Sequence, residues 1–153
     1  ILTSNIGTQG IMQACLNKAA DELPAPDDLV NLLRPSLYKA FKPAFVGRTK
    51  VVPYYPLSDD VLVQVIRLKL DRIGQRVADQ HQAVLDYNDA LVEAVLQRCT
   101  EVDTGARAVD HILNGSLLPE IADSVLNRMA DGQGISKIKV TADKEGRFKY
   151  KVQ

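Results

Sequence analysis

The chain has 153 residues, and its 19 lysines and arginines balance its 19 aspartates and glutamates, which excludes a uniformly basic nucleic-acid-binding protein. Hydrophobic residues make up 46% and charged residues 25%, ordinary values for a globular protein, and the length suffices for one good core or two small ones. The longest apolar runs are far shorter than the roughly 20 residues of a membrane-spanning helix, so we expect no membrane insertion.

The chain opens on Ile1-Leu2, a pair typical of the end of a buried strand. Leu2-Thr3-Ser4-Asn5 would then place polar groups at the carboxyl edge of that strand, where ligands contact open α/β sheets. A turn is the alternative, because serine and asparagine favour turns. Ordinary domains seldom begin inside an apolar strand, so we expect the sequence to be a fragment of a longer protein, with signal cleavage as the alternative.

Two helices and a hinge are predicted in the first 57 residues. The first helix, of about three turns, is indicated by apolar and small residues at helical spacing: Ile11, Met12, Cys15, Leu16 and Ala19. Pro24 and Pro26 end it, and Asp27 can cap a second helix that reaches Phe41. Pro35 is expected to kink or split that second helix. Prolines and a glycine then alternate with large apolar residues, which predicts a hinge at 49–57.

The second half of the chain predicts more helices and a terminal β-hairpin. From Ser58, a good N-cap, one helical face carries Leu62, Ile66, Leu70, Ile73 and Val77. A strand at 84–87 precedes a helix capped by Asn88, and Thr104 caps the next helix. The residues 114–115 and Pro119 should interrupt that helix, and a further helix should then run to about Met129. Alternating apolar residues around 143–146 then predict the hairpin. We therefore expect domains at 1–48 and 58–153 on either side of the hinge.

Two arginines are candidates for binding phosphate. Thr104-Gly105-Ala106-Arg107 stands at a predicted helix start, where free backbone N–H groups, an open glycine and a guanidinium would suit an anion. Arg48 follows an apolar segment that should anchor a loop and leave the guanidinium projecting. Taken alone, each arginine is more simply explained as a solvated surface residue.

Other site classes are disfavoured. His81 and His111 are isolated, so no metal site is expected, and no nucleophile-elbow pattern surrounds Ser116. Cys15 and Cys99 are too few for a disulfide framework, which fits a reducing compartment, and we expect the cytoplasm. Lysines alternate with Phe148 and Tyr150 in the hairpin, which separates the cations from the aromatic rings, so a solvated face is favoured over nucleic-acid binding.

Four stretches in this order closely resemble the end of a Clp-family AAA+ ATPase: Leu2-Thr3-Ser4-Asn5, Phe45-Val46-Gly47-Arg48, Val52-Pro53-Tyr54-Tyr55-Pro56-Leu57 and Gly105-Ala106-Arg107. The resemblance covers nearly the whole chain. It implies an α+β, mainly helical fold: a small C-terminal subdomain with a three-stranded sheet and a terminal hairpin, preceded by a remnant of the α/β large subdomain. It also implies that Asn5 is sensor 1, Arg48 the arginine finger and Arg107 sensor 2.

The same resemblance implies the nucleotide contacts. Gly105 and Ala106 would lie beside the phosphates with Arg107, and Val65 or Ile66 would touch the adenine of ATP or ADP. No phosphate-binding loop and no strand-end acidic pair for Mg²⁺ occurs in the sequence, so the metal would be held elsewhere in the module. The fragment alone is therefore expected not to hydrolyse ATP.

Within the family, the stretches at 51–57 and 99–113 resemble the ClpV type, the ATPases of bacterial type VI secretion, more than the ClpB disaggregases. This implies a homohexameric ring that threads a sheath-protein segment and disassembles contracted sheaths. A ClpB-like disaggregase and a non-catalytic oligomerisation module are the alternatives. No nucleic-acid partner is implied.

Overall fold

The computed structural model describes residues 1–100 and 106–153, and Thr104 and Gly105, the predicted cap and phosphate-contacting glycine, lie outside them. The chain forms two compact units, 1–56 and 57–153. The division falls inside the predicted hinge, while the assignment of 1–48 and 58–153 to the two parts of an ATPase module stays a prediction. No helix in the described part of the chain is long and apolar enough to cross a bilayer.

The first unit contains three helices: α1 (Thr8–Cys15), α2 (Pro26–Ala40) and α3 (Pro43–Gly47). Its small core comprises Ile11 and Cys15 from α1 with Leu29 and Leu33 from α2. The segment 49–56, which follows α3, has no regular secondary structure.

Four details of this unit differ from the sequence expectations, and the first two concern residues 1–19. Residues 1–5 form no strand, because a strand needs a hydrogen-bonded neighbouring strand and no residue of 1–56 is in a strand. Leu2 is 65% exposed. Residues 2–5, where a turn was the alternative, have no regular structure, and a turn follows them at 6–7. Helix α1 ends at Cys15, short of Ala19, because the chain turns extended at Leu16 and left-handed at Asn17, a conformation that asparagine tolerates.

The other two differences concern α2. The helix starts at Pro26 after Ala25, so Asp27 lies in the first turn and is not the cap. A proline fits that position because the first N–H groups of a helix have no internal acceptor, and the carboxylate of Asp27 still favours the positive end of the helix. Of the two expected outcomes at Pro35, a kink stays a prediction and a split is absent, because Leu33 before it and Leu37 after it pack on the same cluster.

In the described residues of the second unit, 57–100 and 106–153, four α-helices pack with a small sheet. In chain order, the helices and strands are α4 (Asp59–His81), β1 (Val84–Tyr87), α5 (Asp89–Thr100), α6 (Ala106–Ile112), α7 (Leu118–Ala130), β2 (Lys137–Ala142) and β3 (Phe148–Val152). The strand order is β1-β2-β3, with β1 parallel and β3 antiparallel to the central β2. The register pairs Leu85 with Ile138 and Val140 with Tyr150. The expected mainly helical fold with a three-stranded sheet is confirmed.

The predicted helical face of α4 is confirmed: Ile66 and Leu70 are fully buried, and Ile73 and Val77 join the same core. Ser58 occupies the N-cap position of α4, although its side chain makes no capping hydrogen bond. Asn88 does cap α5, since its Oδ1 accepts a hydrogen bond from the Leu91 N–H at 3.1 Å.

The expected interruption near Pro119 takes the form of a π-helical turn (Leu113–Leu117) that joins α6 directly to α7. Leu118 donates its N–H to the carbonyl of Leu113, and Pro119 occupies the first turn of α7, where its missing N–H costs little. The terminal hairpin is confirmed, and its turn is held by Asp143, which accepts N–H bonds from Glu145 and Arg147.

Candidate functional site: exposed arginines on anchored segments

Arg48 lies directly after the short helix α3 and is exposed. Val46, two residues before it, is only 8% exposed, and the ring of Phe45 packs against Phe41 at a centroid distance of 5.3 Å. After the arginine, the hydroxyl of Thr49 donates to the carbonyl of Phe45 at 2.7 Å. An exposed guanidinium on a held backbone is therefore what the structure presents at this position.

The segment 49–56 is also attached to the first unit by its side chains. Val51 and Tyr55 pack against the core of α1 and α2, whereas Val52 is 63% exposed and Tyr54 is 83% exposed. The hydroxyl of Tyr55 donates to the carbonyl oxygen of Pro24 at 2.6 Å. The bond joins positions 31 residues apart, and sequence reasoning did not single out Tyr55 for it.

Asn5 is exposed and immediately precedes the turn that leads into α1. Its backbone carbonyl accepts the Thr8 hydroxyl at 2.7 Å and the Thr8 N–H at 3.3 Å. These bonds use the main chain of Asn5, so its carboxamide projects from a defined turn.

A cavity of about 360 Å³ lies within the first unit. Most of its lining is apolar and includes Leu2, Ile11, Leu37, Val51 and Tyr55, and neither Asn5 nor Arg48 lines it. The two polar candidates of this unit therefore face solvent outside the cavity.

Arg107, the second residue of α6, is exposed in the second unit. The next two residues, Ala108 and Val109, are buried at 3% and 0% exposure and fix this side of the helix to the core. Asp110 forms a 2.7 Å ion pair with Lys69 of α4. The guanidinium thus projects from a helix that is held to its neighbours on both sides.

The two candidate adenine contacts differ in accessibility. Ile66 is fully buried in the core of the second unit, whereas Val65 is partly exposed at its border. In this structure a ligand could reach Val65 and not Ile66. The adenine contact itself stays a prediction.

Shifted pKa values in the second unit come from ordinary packing and pairing. Burial, followed by the hydrogen bond to Asp71, raises the pKa of Tyr87. Burial and then the Glu120 carboxylate raise the pKa of Tyr150 to about 12. The hydrogen bond from Lys137 lowers the pKa of Asp86. Burial and pairing within the second unit therefore account for each of these shifts.

Metal ligation finds no support in the described ranges, 1–100 and 106–153, which contain no group of three or more His, Cys, Asp or Glu placed to hold an ion. Arg48 and Arg107 each present an exposed guanidinium that could contact a phosphate. A guanidinium is always charged and presents donors in a rigid fork that matches phosphate oxygens.

Comparison with known families gives the class of protein to which the chain belongs. Residues 57–140 match the family model of the C-terminal, D2-small domain of ClpB protein, which is more than half of the chain. The chain therefore belongs to this Clp family of AAA+ proteins, and its resemblance to the C-terminal part of the second module is confirmed.

Individual relatives extend the match to both units. The AAA+ ATPase ClpV1 of Pseudomonas aeruginosa is 36% identical over 150 residues, covering 98% of this chain and 16% of that protein. The chaperone protein ClpB of Yersinia enterocolitica is 39% identical over 153 residues, covering 99% of this chain and 17% of that protein. A ClpB of Chlamydia caviae is 23% identical over 146 residues. The chain thus spans about a sixth of the length of the first two relatives.

Proposed function

We propose that the chain is part of a hexameric, ATP-driven remodelling ATPase that disassembles contracted type VI secretion sheaths in the bacterial cytoplasm. In that ring these residues would sense the nucleotide and contribute contacts between protomers. The observation that carries the proposal is the match along 98% of the chain to a relative named AAA+ ATPase ClpV1. Exposed arginines on anchored segments support the proposal, because a guanidinium can stabilise the negative charge of a phosphate.

Arg48 would act on the nucleotide of the neighbouring protomer. Negative charge on a transferring γ-phosphoryl group spreads over several oxygens, and a forked, permanently charged donor stabilises it. The backbone around Arg48 is held by buried Val46 and by the Thr49 hydroxyl, so the ordering that binding requires is confined to the side chain. An arginine supplied in this way is worth about 10³ to 10⁵ in rate in other phosphoryl-transfer systems.

Arg107 would read the phosphates within its own protomer and report them to the second unit. Its helix is fixed by buried Val109 and by the Lys69–Asp110 ion pair, so a pull on the guanidinium would move α6 together with α4. We also propose that Asn5 orients the attacking water and that Val65 borders the adenine. ATP and Mg²⁺ belong to the assembled ring, and the guanidinium contacts are what we assign to these residues.

The test of the arginine finger is Arg48→Ala in the full-length ATPase. Turnover should fall by about 10³-fold or more, while the affinity for a fluorescent ADP analogue stays the same, because the finger stabilises the transition state. Lys42→Ala is a matched control, since Lys42 is an exposed cation at the opposite end of α3. Unchanged turnover in Arg48→Ala would remove the assignment.

A second candidate function is supported by the relatives named chaperone protein ClpB, one of which is 39% identical along 99% of the chain. A ring of that kind would act on aggregated proteins. The full-length protein should be offered contracted sheath tubules and heat-aggregated luciferase in parallel, with light scattering as the readout. ATP-dependent loss of scattering from luciferase alone would favour the second candidate.

A further inference from the structure

Tyr55 connects the segment after Arg48 to a distant part of the first unit. Its hydroxyl donates to the carbonyl oxygen of Pro24 at 2.6 Å, a short hydrogen bond that is partly shielded from water. Pro24 lies in the connection between α1 and α2, and the ring of Tyr55 packs on the core formed by those two helices. The bond therefore attaches segment 49–56 to the helical part of the unit.

The rest of the segment has few other attachments. Residues 50–56 form neither helix nor strand, and Val52 and Tyr54 are exposed by 63% and 83%. Among the side-chain hydrogen bonds of the described residues, the Tyr55–Pro24 bond alone joins this segment to a residue more than four positions away. Irregular backbone of this kind samples many conformations unless side chains hold it.

Arg48 stands between two anchored points. Before it, Val46 is buried, and after it, Val51 and Tyr55 are attached to the core of α1 and α2. We propose that Tyr55 is a positioning residue for Arg48: its bond to Pro24 fixes the chain that follows the arginine and so the direction in which the guanidinium is presented. This inference rests on the proposed role of Arg48. A small loss of orientation at a transferring group is costly, because catalysis of phosphoryl transfer depends on positioning.

The adjacent tyrosine provides a matched control. Tyr54 has the same side chain one position earlier but is 83% exposed, whereas Tyr55 is half-buried and hydrogen-bonded. Tyr55→Phe removes only the hydroxyl and keeps the ring that packs on α1 and α2. Tyr54→Phe makes the identical chemical change without removing the bond to Pro24.

The experiment measures steady-state ATP hydrolysis by the full-length ring, with assembly checked by light scattering. Tyr55→Phe should lower kcat by about 2- to 10-fold, the equivalent of one lost hydrogen bond, with KM for ATP unchanged because the proposed role acts through Arg48 in the transition state. Tyr54→Phe should match the unsubstituted ring. Equal kcat in the two variants would overturn the inference, as would a Tyr55→Phe ring that no longer assembles.

A double-mutant cycle with Arg48→Lys separates positioning from general loosening. Lysine keeps the charge but lacks the fork, so orientation matters less, and Tyr55→Phe should cost less than 2-fold in that background. The same cost in both backgrounds would show that Tyr55 acts independently of Arg48 and would overturn the inference. If Arg48→Lys and Arg48→Ala both leave turnover unchanged, the proposed function of Arg48 fails; if they lower it and Tyr55→Phe does not, only the inference fails.

Discussion

The two units differ in the size of their hydrophobic cores. The core of 57–153 draws on α4 to α7 and β2, with β1 and β3 packing against it, and contains many fully buried side chains, among them Ile66, Leu70 and Leu117. The core of 1–56 contains four buried residues from α1 and α2. Burial of apolar surface is the dominant favourable term in folding, so the second unit should be stable by itself. Individual contacts such as the Tyr55–Pro24 bond then matter more in the first unit.

The largest expected effect comes from a core truncation in each unit. Leu70→Ala, at a position with no exposure, should lower the free energy of unfolding of the second unit by about 2 to 5 kcal/mol. Leu29→Ala, at 1% exposure in the first unit, should abolish hydrogen-exchange protection in 8–40 and leave the urea transition of the second unit unchanged. If Leu29→Ala shifts that transition as much as Leu70→Ala does, the two units do not fold independently.

Two glycines allow a further comparison of the units, because replacing them with alanine should change the free energy of unfolding in opposite directions. Gly7 has φ 78, and an added Cβ would overlap the side chain of Leu33, so Gly7→Ala should destabilise the first unit by about 1 to 3 kcal/mol. Gly74 lies inside α4, where an added Cβ would make an ordinary 3.5 Å contact with Leu85. Gly74→Ala should stabilise the second unit by about 0.5 to 1 kcal/mol. Urea unfolding followed by circular dichroism would measure both effects, and a destabilised Gly74→Ala protein would contradict this account.

The smallest effect concerns pH. N–H bonds, the one from Arg147 first, lower the pKa of Asp143 in the hairpin turn below its usual 3.8. Because the folded pKa is the lower one, the stabilisation is present above about pH 4 and is lost as pH falls through the folded value. Asp143→Asn should therefore lower the melting temperature at pH 7, and the difference should shrink as the pH falls below about 4. Asp123→Asn, on the exposed side of α7, is the control, and a pH-independent effect of Asp143→Asn would contradict the assignment.

Local signals predicted the second unit well. The spacing of Leu62, Ile66 and Leu70 predicts α4 because the helix buries that one face, and alternation predicts the hairpin because one side of the sheet is covered. In the first unit, the local conformational preferences of the residues predicted the secondary structure less well. Pro35 is tolerated inside α2 by packing on both sides, and Ile1-Leu2 has the composition of a strand but no neighbouring strand among residues 1–56.

The candidate site was predictable only in part. Apolar residues before Arg48 indicated an anchored loop with a projecting guanidinium, and the structure has that arrangement. The roles of Asn5, Arg48 and Arg107 came from family resemblance, since each residue alone is unremarkable in sequence. Tyr55 was missed because its partner, Pro24, is distant in the chain, and nothing in a Tyr-Tyr pair indicates which hydroxyl is bonded.

We propose that this chain serves a sheath-disassembling ATPase through Arg48. The most direct test mixes the full-length protein and ATP with contracted type VI sheath tubules and follows sedimentable sheath over time. We predict loss of sedimentable sheath with the unsubstituted protein and with Lys42→Ala, and intact sheath with Arg48→Ala. Sheaths that persist with the unsubstituted protein while ATP is hydrolysed would contradict the account.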